Sequence, residues 1–288
     1  MIDPLDRRRN AVRDDLADAR LADRVTRPRY ATARPMAVTV PVARCHMAPG
    51  EPAVDTEFLF GEPVDLFDEA DGWAWVQSTA DAYVGYVPAA ALGARGAAAT
   101  HIVSVPSAVA YEEATIKRAI RGTLPLGAAI HAAATVETSE TFVRLGPGGP
   151  LAGAFVLVNH LRPVDAPPPA GWVAIAEMFV GAPYVWGGKT WGGIDCSGLV
   201  QLALQAAGRA APRDSDMQAA ELGVPLAADA PLQRGDLIFW KGHVGIMLDQ
   251  TRLLHANGHH MMTAIEPLAE TVARLDGKGI PVTARRRP

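Results

Sequence analysis

Three consecutive prolines, Pro167, Pro168 and Pro169, divide this chain. Proline has no backbone N–H and holds φ at about −65°, so such a run belongs neither to a helix interior nor to a central strand. Val164 to Ala170 therefore reads as a linker. The rhythm differs on its two sides. Before it come short apolar runs: Ala37 to Ala43, Pro63 to Phe67, Trp73 to Gln77 and Tyr83 to Val87, then Ile130 to Ala134, Thr141 to Leu145 and Phe155 to Val158. Alternating runs of that length, with turn signals such as Ala-Pro-Gly-Glu-Pro and Asp-Gly between them, predict small β-barrels. Ahead of these, residues 11–24 are charged and rich in Ala and Leu, and the spacing of Leu16, Ala19 and Leu21 predicts a helix that packs on a barrel. After the linker, a helical pattern is followed by antiparallel strands.

The segment after the linker carries the chemistry. In Gly-Gly-Ile-Asp-Cys-Ser-Gly-Leu-Val-Gln (192–201), the positions Leu199, Leu202, Ala203 and Ala206 mark one helical face from Cys196 onward. Gly208 supplies a left-handed stop, so the pattern predicts a helix over 196–207 with Asp195 at its N-cap. A thiol at a helix start meets free N–H groups and the positive end of the helix dipole, both of which favour thiolate. It needs a proton acceptor, and His243 in Gly-Asp-Leu-Ile-Phe-Trp-Lys-Gly-His-Val-Gly-Ile-Met-Leu (235–248) is the candidate. Asp236 to Trp240, His243 to Leu248 and Arg252 to Ala256 read as strands of one antiparallel sheet. His243, Gly245 and Met247 then share a face, and His255 on the next strand comes beside His243. Nucleophile, base and orienting group are the parts of cysteine acyl-transfer chemistry.

Plainer readings stand beside this one. A lone cysteine is commonly a small buried apolar residue, and Cys45, in a Pro-flanked stretch with no helix after it, fits that description. Tyr184 reads equally as a half-buried aromatic, and Trp186, Gly187 and Gly188 as a tight turn. His255 begins a His-x-x-x-His pattern with His259, and with His260 and Cys196 these offer donors for zinc, although His-Glu-x-x-His and Cys-x-x-Cys are both absent. His259 and His260 otherwise read as exposed loop residues.

Composition narrows the partners. With 288 residues, 49% of them hydrophobic, there is material for two or three cores, and no apolar run reaches the length of a bilayer span. A formal net charge of −4 argues against general nucleic-acid binding, and the arginines at 7–9 and 285–287 read as solvated ends. No apolar region follows the charged start, and two distant cysteines make no disulfide framework, so a cytoplasmic protein without membrane contact is expected; a monomer is the expected state.

Five motifs in order resemble the NlpC-type cell-wall peptidases, papain-like cysteine hydrolases that cut peptidoglycan peptides. They are Phe-Val-Gly-Ala-Pro-Tyr-Val-Trp-Gly-Gly (179–188), Asp-Cys-Ser-Gly-Leu-Val (195–200), Pro-Arg-Asp-Ser-Asp-Met-Gln (212–218), Arg-Gly-Asp-Leu-Ile-Phe-Trp (234–240) and Gly-His-Val-Gly-Ile (242–246). The likeness covers roughly residues 172–268. It implies Cys196 as nucleophile, His243 as general base, His255 as the orienting third residue, and Tyr184 near an oxyanion site to which the Cys196 N–H contributes. No cofactor is implied. Leu-Phe-Gly-Glu-Pro-Val (59–64), Asp-Gly-Trp-Ala-Trp-Val (71–76) and Tyr-Val-Gly-Tyr-Val-Pro (83–88) resemble a bacterial SH3-like domain.

The expected fold class is therefore α+β. A papain-like domain over 172–288, its Cys-bearing helix packed on an antiparallel sheet, follows two small SH3-like barrels at 31–95 and 96–164, a helical segment at 1–30 and a linker at 165–171. That order of domains resembles the enzymes that degrade released murein peptides, which cleave between γ-D-glutamate and a diamino acid and require a free N-terminal L-alanine. By the same resemblance Asp195 supplies a carboxylate for the substrate ammonium. Ser197 and Ser215 contact substrate, and Tyr83 is lent by the first barrel, with Glu57 or Glu62 as a second carboxylate. A related amidase or acyltransferase, or a wall-peptide binder without catalysis, would use the same scaffold.

Overall fold

A computed structural model of the chain describes residues 5–169 and 171–288; Ala170, in the expected linker, lies outside them. The chain separates into two compact units between Ala166 and Pro167, inside the stretch that the prolines mark.

The first unit is almost entirely β. One antiparallel sheet runs in the order Val84–Pro88, Trp73–Ser78, Pro63–Ala70, Arg34–Val38, Leu92–Ala94, with a separate pair formed by Val42–Cys45 and Thr56–Leu59. Val38, Phe58, Val64, Leu66, Val76 and Val87 fill its core. The expected run Ala37 to Ala43 breaks in two at Pro41, which has no N–H to give a ladder. A second sheet has the order Ile120–Pro125, Ser107–Tyr111, Phe155–Leu157, Thr141–Leu145, Ala132–Glu137, beside a three-stranded one of Ala129–Ile130, His101–Val103 and Leu161–Pro163. Its core gathers Val103, Leu124, Ile130, Val143, Leu145, Leu151 and Val156.

The helix expected at the N-terminus does not form. Leu16–Asp18 is a strand that pairs in parallel with Arg29–Ala31, and a single 3₁₀ turn, Ala19–Leu21, follows it. So short and charged a segment has little helical stability of its own, and tertiary contacts decide its state. Asp18 also takes the backbone N–H of Arg20 at 2.9 Å, a local bond that competes with helix. The packing expected of this segment does occur. Ala11 and Leu16 join Phe67, Trp75 and Val84, and the Arg13 guanidinium lies 4.9 Å from the centre of the Trp75 ring while pairing with Asp68.

Among its described residues the second unit holds four α-helices, α1 (Trp172–Glu177), α2 (Cys196–Ala206), α3 (Ser215–Glu221) and α4 (Leu268–Asp276). The strands of its main sheet are numbered here β1 (Val224–Pro225), β2 (Leu237–Trp240), β3 (His243–Met247), β4 (Arg252–Asn257), β5 (Met262–Pro267) and β6 (Val282–Arg287). The sheet order is β1-β6-β2-β3-β4-β5, antiparallel throughout. α2 lies against β3 and β4. α4 packs Leu268, Val272 and Leu275 on Ile238, Trp240, Met247 and Leu253. Arg285, Arg286 and Arg287 are not a solvated tail. They form part of β6, between β1 and β2, and Arg287 pairs with the fully buried Asp236 at 2.8 and 2.9 Å.

Candidate active site

The site begins where α2 begins. Asp195 is its N-cap, with Oδ1 accepting the Gly198 N–H at 2.7 Å, and Gly208 ends the helix region at φ +75°, as the sequence pattern anticipates. Gly198 is required by crowding: a Cβ there would fall 2.5 Å from the Gly188 carbonyl oxygen. The loop 185–188 can thus lie against the first turn, and Asp195 Oδ2 accepts the Gly187 N–H at 2.8 Å.

Beneath this turn lies a residue that sequence reasoning missed. Arg213 is 1% exposed, and its guanidinium grips both oxygens of Asp195, Nη1 to Oδ1 at 2.9 Å and Nη2 to Oδ2 at 2.6 Å. Nη1 also donates to Ser197 Oγ at 2.9 Å. Both Asp195 oxygens and the Ser197 hydroxyl therefore face protein donors, and a substrate ammonium would share Asp195 with a guanidinium already in place. Gln218, also missed, ties α3 to this turn by donating to the carbonyls of Ser197 and Pro212, both at 2.9 Å. The only signal for Arg213 and Gln218 was their place in the 212–218 motif. Ser215 opens α3 and is half-buried.

Cys196 is 6% exposed, and its sulfur takes hydrogen bonds from the backbone N–H groups of Val244 and Ser197. Val244 follows His243, so the first turn of α2 meets the start of β3. The expected depression of the thiol's pKa does not appear. Burial, then the charge of Asp195, push it up to about 12, and the two N–H bonds and Arg213 offset only part of this. His243 moves the other way. Removal of water from around the ring and the neighbouring His255 hold it down at about 3. Both shifts favour a neutral thiol and a neutral imidazole at rest.

His243 Nε2 lies 2.8 Å from His255 Nδ1, and the two ring centres are 5.1 Å apart. Ile246 opposes Leu254 across β3 and β4, which makes the histidines diagonal neighbours on one face, as the period of two suggests. Trp240 flanks His243, with ring centres 5.6 Å apart. Tyr184 is half-buried, its backbone N–H donating to Met261 at 3.0 Å. Burial first, then the nearby Cys196 and Asp195, raise its hydroxyl well above the usual phenol range, so it keeps its proton.

Tyr83, Glu57 and Glu62 belong to the first unit. Tyr83 is 3% exposed within the core cluster of Val38, Phe58 and Val76. Glu62 is spent on a local turn, accepting the Leu59 N–H at 3.0 Å and the Ser78 hydroxyl at 2.9 Å, and Glu57 is a buried strand residue. His259 and His260 are exposed, their backbone N–H groups held by Asn257 Oδ1. The zinc grouping read from sequence does not assemble. Atoms of His255, His260 and Glu266 come within 4.8 Å of one another, but both His255 nitrogens are engaged and Glu266 carries Arg274. Glu266 and Arg274 were also missed, since only the strand register and the packing of α4 bring them to the histidines.

With this geometry in hand, similarity to known proteins can be weighed. Residues 181–274 match the NlpC/P60 family, and residues 46–92 match the bacterial dipeptidyl-peptidase Sh3 domain. "Dipeptidyl-peptidase 6" of Lysinibacillus sphaericus is 30% identical over 217 residues, covering 70% of this chain and 79% of that protein. The chain belongs to the NlpC/P60 peptidase family. Another relative, the "Gamma-D-glutamyl-L-lysine dipeptidyl-peptidase" of Bacillus subtilis strain 168, is 28% identical over 243 residues, 76% of this chain and 77% of that one. A "probable endopeptidase" of Mycobacterium tuberculosis is 38% identical over 99 residues, 33% of this chain, and the match spans only 25% of that longer protein. The crystal structure of an NlpC/P60 family protein from Bacillus cereus ATCC 10987 aligns at a TM-score of 0.74 over 88% of this chain and 99% of that one, at 22% identity. The papain-like NlpC/P60 fold, with an SH3 domain before it, is thus the architecture of the chain. Among the described residues no helix is long and apolar enough to cross a membrane.

Proposed function

We propose that this NlpC/P60 protein is a cysteine peptidase that hydrolyses the bond between γ-D-glutamate and the diamino acid of murein peptides bearing a free N-terminal L-alanine. One observation carries the chemistry: the Cys196 sulfur takes the N–H of the residue after His243, while the far nitrogen of His243 is bonded to His255. The substrate class rests on the names of relatives that span most of this chain, one of them a γ-D-glutamyl-L-lysine dipeptidyl-peptidase.

In this reading the thiol proton passes to His243 as sulfur attacks the γ-glutamyl carbonyl. The resting pair is neutral, so charge separates only as the bond forms, and thiolate and imidazolium then compensate each other. Backbone N–H groups at the start of α2, with the Tyr184 hydroxyl, stabilise the oxyanion. The imidazolium gives its proton to the departing amine and leaves a thioester. Water, deprotonated by His243, releases the acid and restores the thiol. A role for Asp195 toward the substrate amine requires the ammonium to sit alongside Arg213.

The test is mass spectrometry of digests of L-Ala-γ-D-Glu-diaminopimelate, its lysine counterpart, and N-acetylated forms of both. Release of the L-Ala-γ-D-Glu dipeptide from the free peptides alone is expected. Equal cleavage of the acetylated forms would overturn the free-amine requirement, and no cleavage of any would overturn the peptidase reading.

A further inference from the structure

The line of hydrogen bonds that leaves His243 does not end at His255. His255 Nε2 lies 2.7 Å from Glu266 Oε1. Glu266 in turn is held at both oxygens by Arg274, through Nη1 to Oε2 at 2.9 Å and through Nη2 to Oε1. Each step moves one element sideways, from β3 to β4 to β5 and then to α4, which packs over this part of the sheet. Glu266 opposes Leu253 and Ala264 opposes His255, so Glu266 and His255 share one face as diagonal neighbours. His255 is 1% and Glu266 7% exposed, which leaves little room for solvent to take over these bonds.

We propose that Glu266, clamped by Arg274, is a positioning residue that sets the tautomer of both histidines and so turns the basic nitrogen of His243 toward Cys196. This deepens the peptidase reading and rests on it. An ionised carboxylate can only accept a hydrogen bond, so His255 Nε2 carries the hydrogen. In a neutral ring Nδ1 is then a lone pair and accepts the Nε2–H of His243. That leaves the lone pair of His243 on Nδ1, as the acceptor for the thiol proton. Without an anion at position 266, His255 is free to hold its hydrogen on Nδ1. His243 must then accept at Nε2 and carry its own hydrogen on Nδ1, where it blocks the base.

Arg274 favours the ionised form of the buried carboxylate without being its sole support. Burial alone would raise Glu266, but the bonds from Arg274, Thr271 and His255 outweigh it and hold it at about 2. Around the two rings, Glu266 favours protonation and Arg274 opposes it, His260 opposes it at His255, and Asp195 at the start of α2 favours it at His243.

The decisive measurement is ¹⁵N NMR of imidazole tautomers in the full-length protein, read with the pH titration of both rings. Wild type is expected to hold hydrogen on Nε2 of His243 and of His255. Glu266→Gln should mix the His255 tautomers, lower the titration midpoints of both rings, and reduce kcat about 10- to 100-fold with KM unchanged, the size usual when an orienting partner is lost. Arg274→Gln, which keeps the carboxylate, should move the midpoints upward. Unchanged tautomers in Glu266→Gln, or midpoints that move the same way in both variants, would overturn the proposal. If Glu266→Gln does not fold, Arg274→Gln decides, an upward shift supporting the proposal and no shift refuting it. Tautomers that respond as stated in a protein that cleaves no wall peptide would uphold the positioning role while removing the peptidase reading.

Discussion

Cys45 and Cys196 are both buried, at 0% and 6% exposure, and burial pushes both thiols up. Burial and pKa therefore do not tell the two cysteines apart. The surroundings do. Around Cys45 the charged neighbours are Asp55, Asp81 and Glu62, all of which oppose a thiolate, and the sulfur lies in the core of a β sheet unit. Around Cys196 a single carboxylate, Asp195, is matched by the buried Arg213, two N–H groups reach the sulfur, and a pair of imidazoles begins at His243, the residue before one of those N–H groups. A reactive thiol here is one whose anion has somewhere to put its charge and whose proton has somewhere to go.

The sharpest way to break that comparison is to remove each sulfur. Cys196→Ala or His243→Ala should lower hydrolysis of the tripeptide by at least about 10³-fold with the melting temperature preserved, because nucleophile and base act as a unit. Cys45→Ala should leave turnover intact. Full activity in purified Cys196→Ala, or loss in Cys45→Ala without unfolding, would reverse the roles assigned to the two cysteines.

Next in size comes the charge that distinguishes the two surroundings. Arg213→Leu strands Asp195 beside Cys196 without its partner, and breaking a buried pair in this way costs about 3–5 kcal/mol of stability. The loss should appear as a lower denaturant midpoint at an unchanged slope. A variant as stable as wild type would mean that the helix start holds Asp195 without Arg213.

Acid should loosen the Cys196 unit through its histidines. The ordinary histidine value is 6.5, while His243 is held at about 3 and His255 at about 4, largely by burial. Below pH 6.5 the unfolded chain takes up protons that the folded chain refuses, so stability present above pH 6.5 is lost as the pH falls toward 3. Glu266, held near 2 against an ordinary 4.5, adds a loss of the same sign at lower pH. His255→Asn removes one of these titrations. Urea midpoints at pH 7, 5 and 4 should then fall less steeply than in wild type, and an equal fall would mean that His255 is not buried neutral.

What the sequence made legible follows the range of the interactions involved. The ends of α2 could be read because a cap at Asp195 and a stop at Gly208 are local signals. The meeting of His243 with His255 could be read because a period of two and a hairpin fix which side chains share a face. Arg213 could not, since nothing in its neighbours says that α3 will carry it under Asp195. The same holds for Glu266 and Arg274, which reach the histidines only through register and helix packing. At residues 11–24 the spacing of Leu16, Ala19 and Leu21 pointed to a helix, but strand pairing with Arg29–Ala31 and burial on the barrel prevailed. The thiol of Cys196 was misjudged for a related reason. A helix end can be read from sequence, whereas the burial that overrides it is a property of the whole fold.

The smallest effect belongs to the quieter cysteine. Cys45 sits on Val42–Cys45 with Ala43, Phe58, Val76 and Tyr83 in its cluster, and its sulfur serves as packing volume. Replacing it by alanine removes one buried atom and leaves a gap of that size, at a cost of about 1 kcal/mol, within the range of ordinary core substitutions. Cys45→Ser has a similar volume but introduces a hydroxyl among apolar side chains and three nearby carboxylates, so it should destabilise more than alanine does. The order alanine above serine in denaturant midpoint would mark Cys45 as apolar filler. The reverse order would mean that a polar group at this position has a partner, and that the contrast between the two cysteines is narrower than their surroundings indicate.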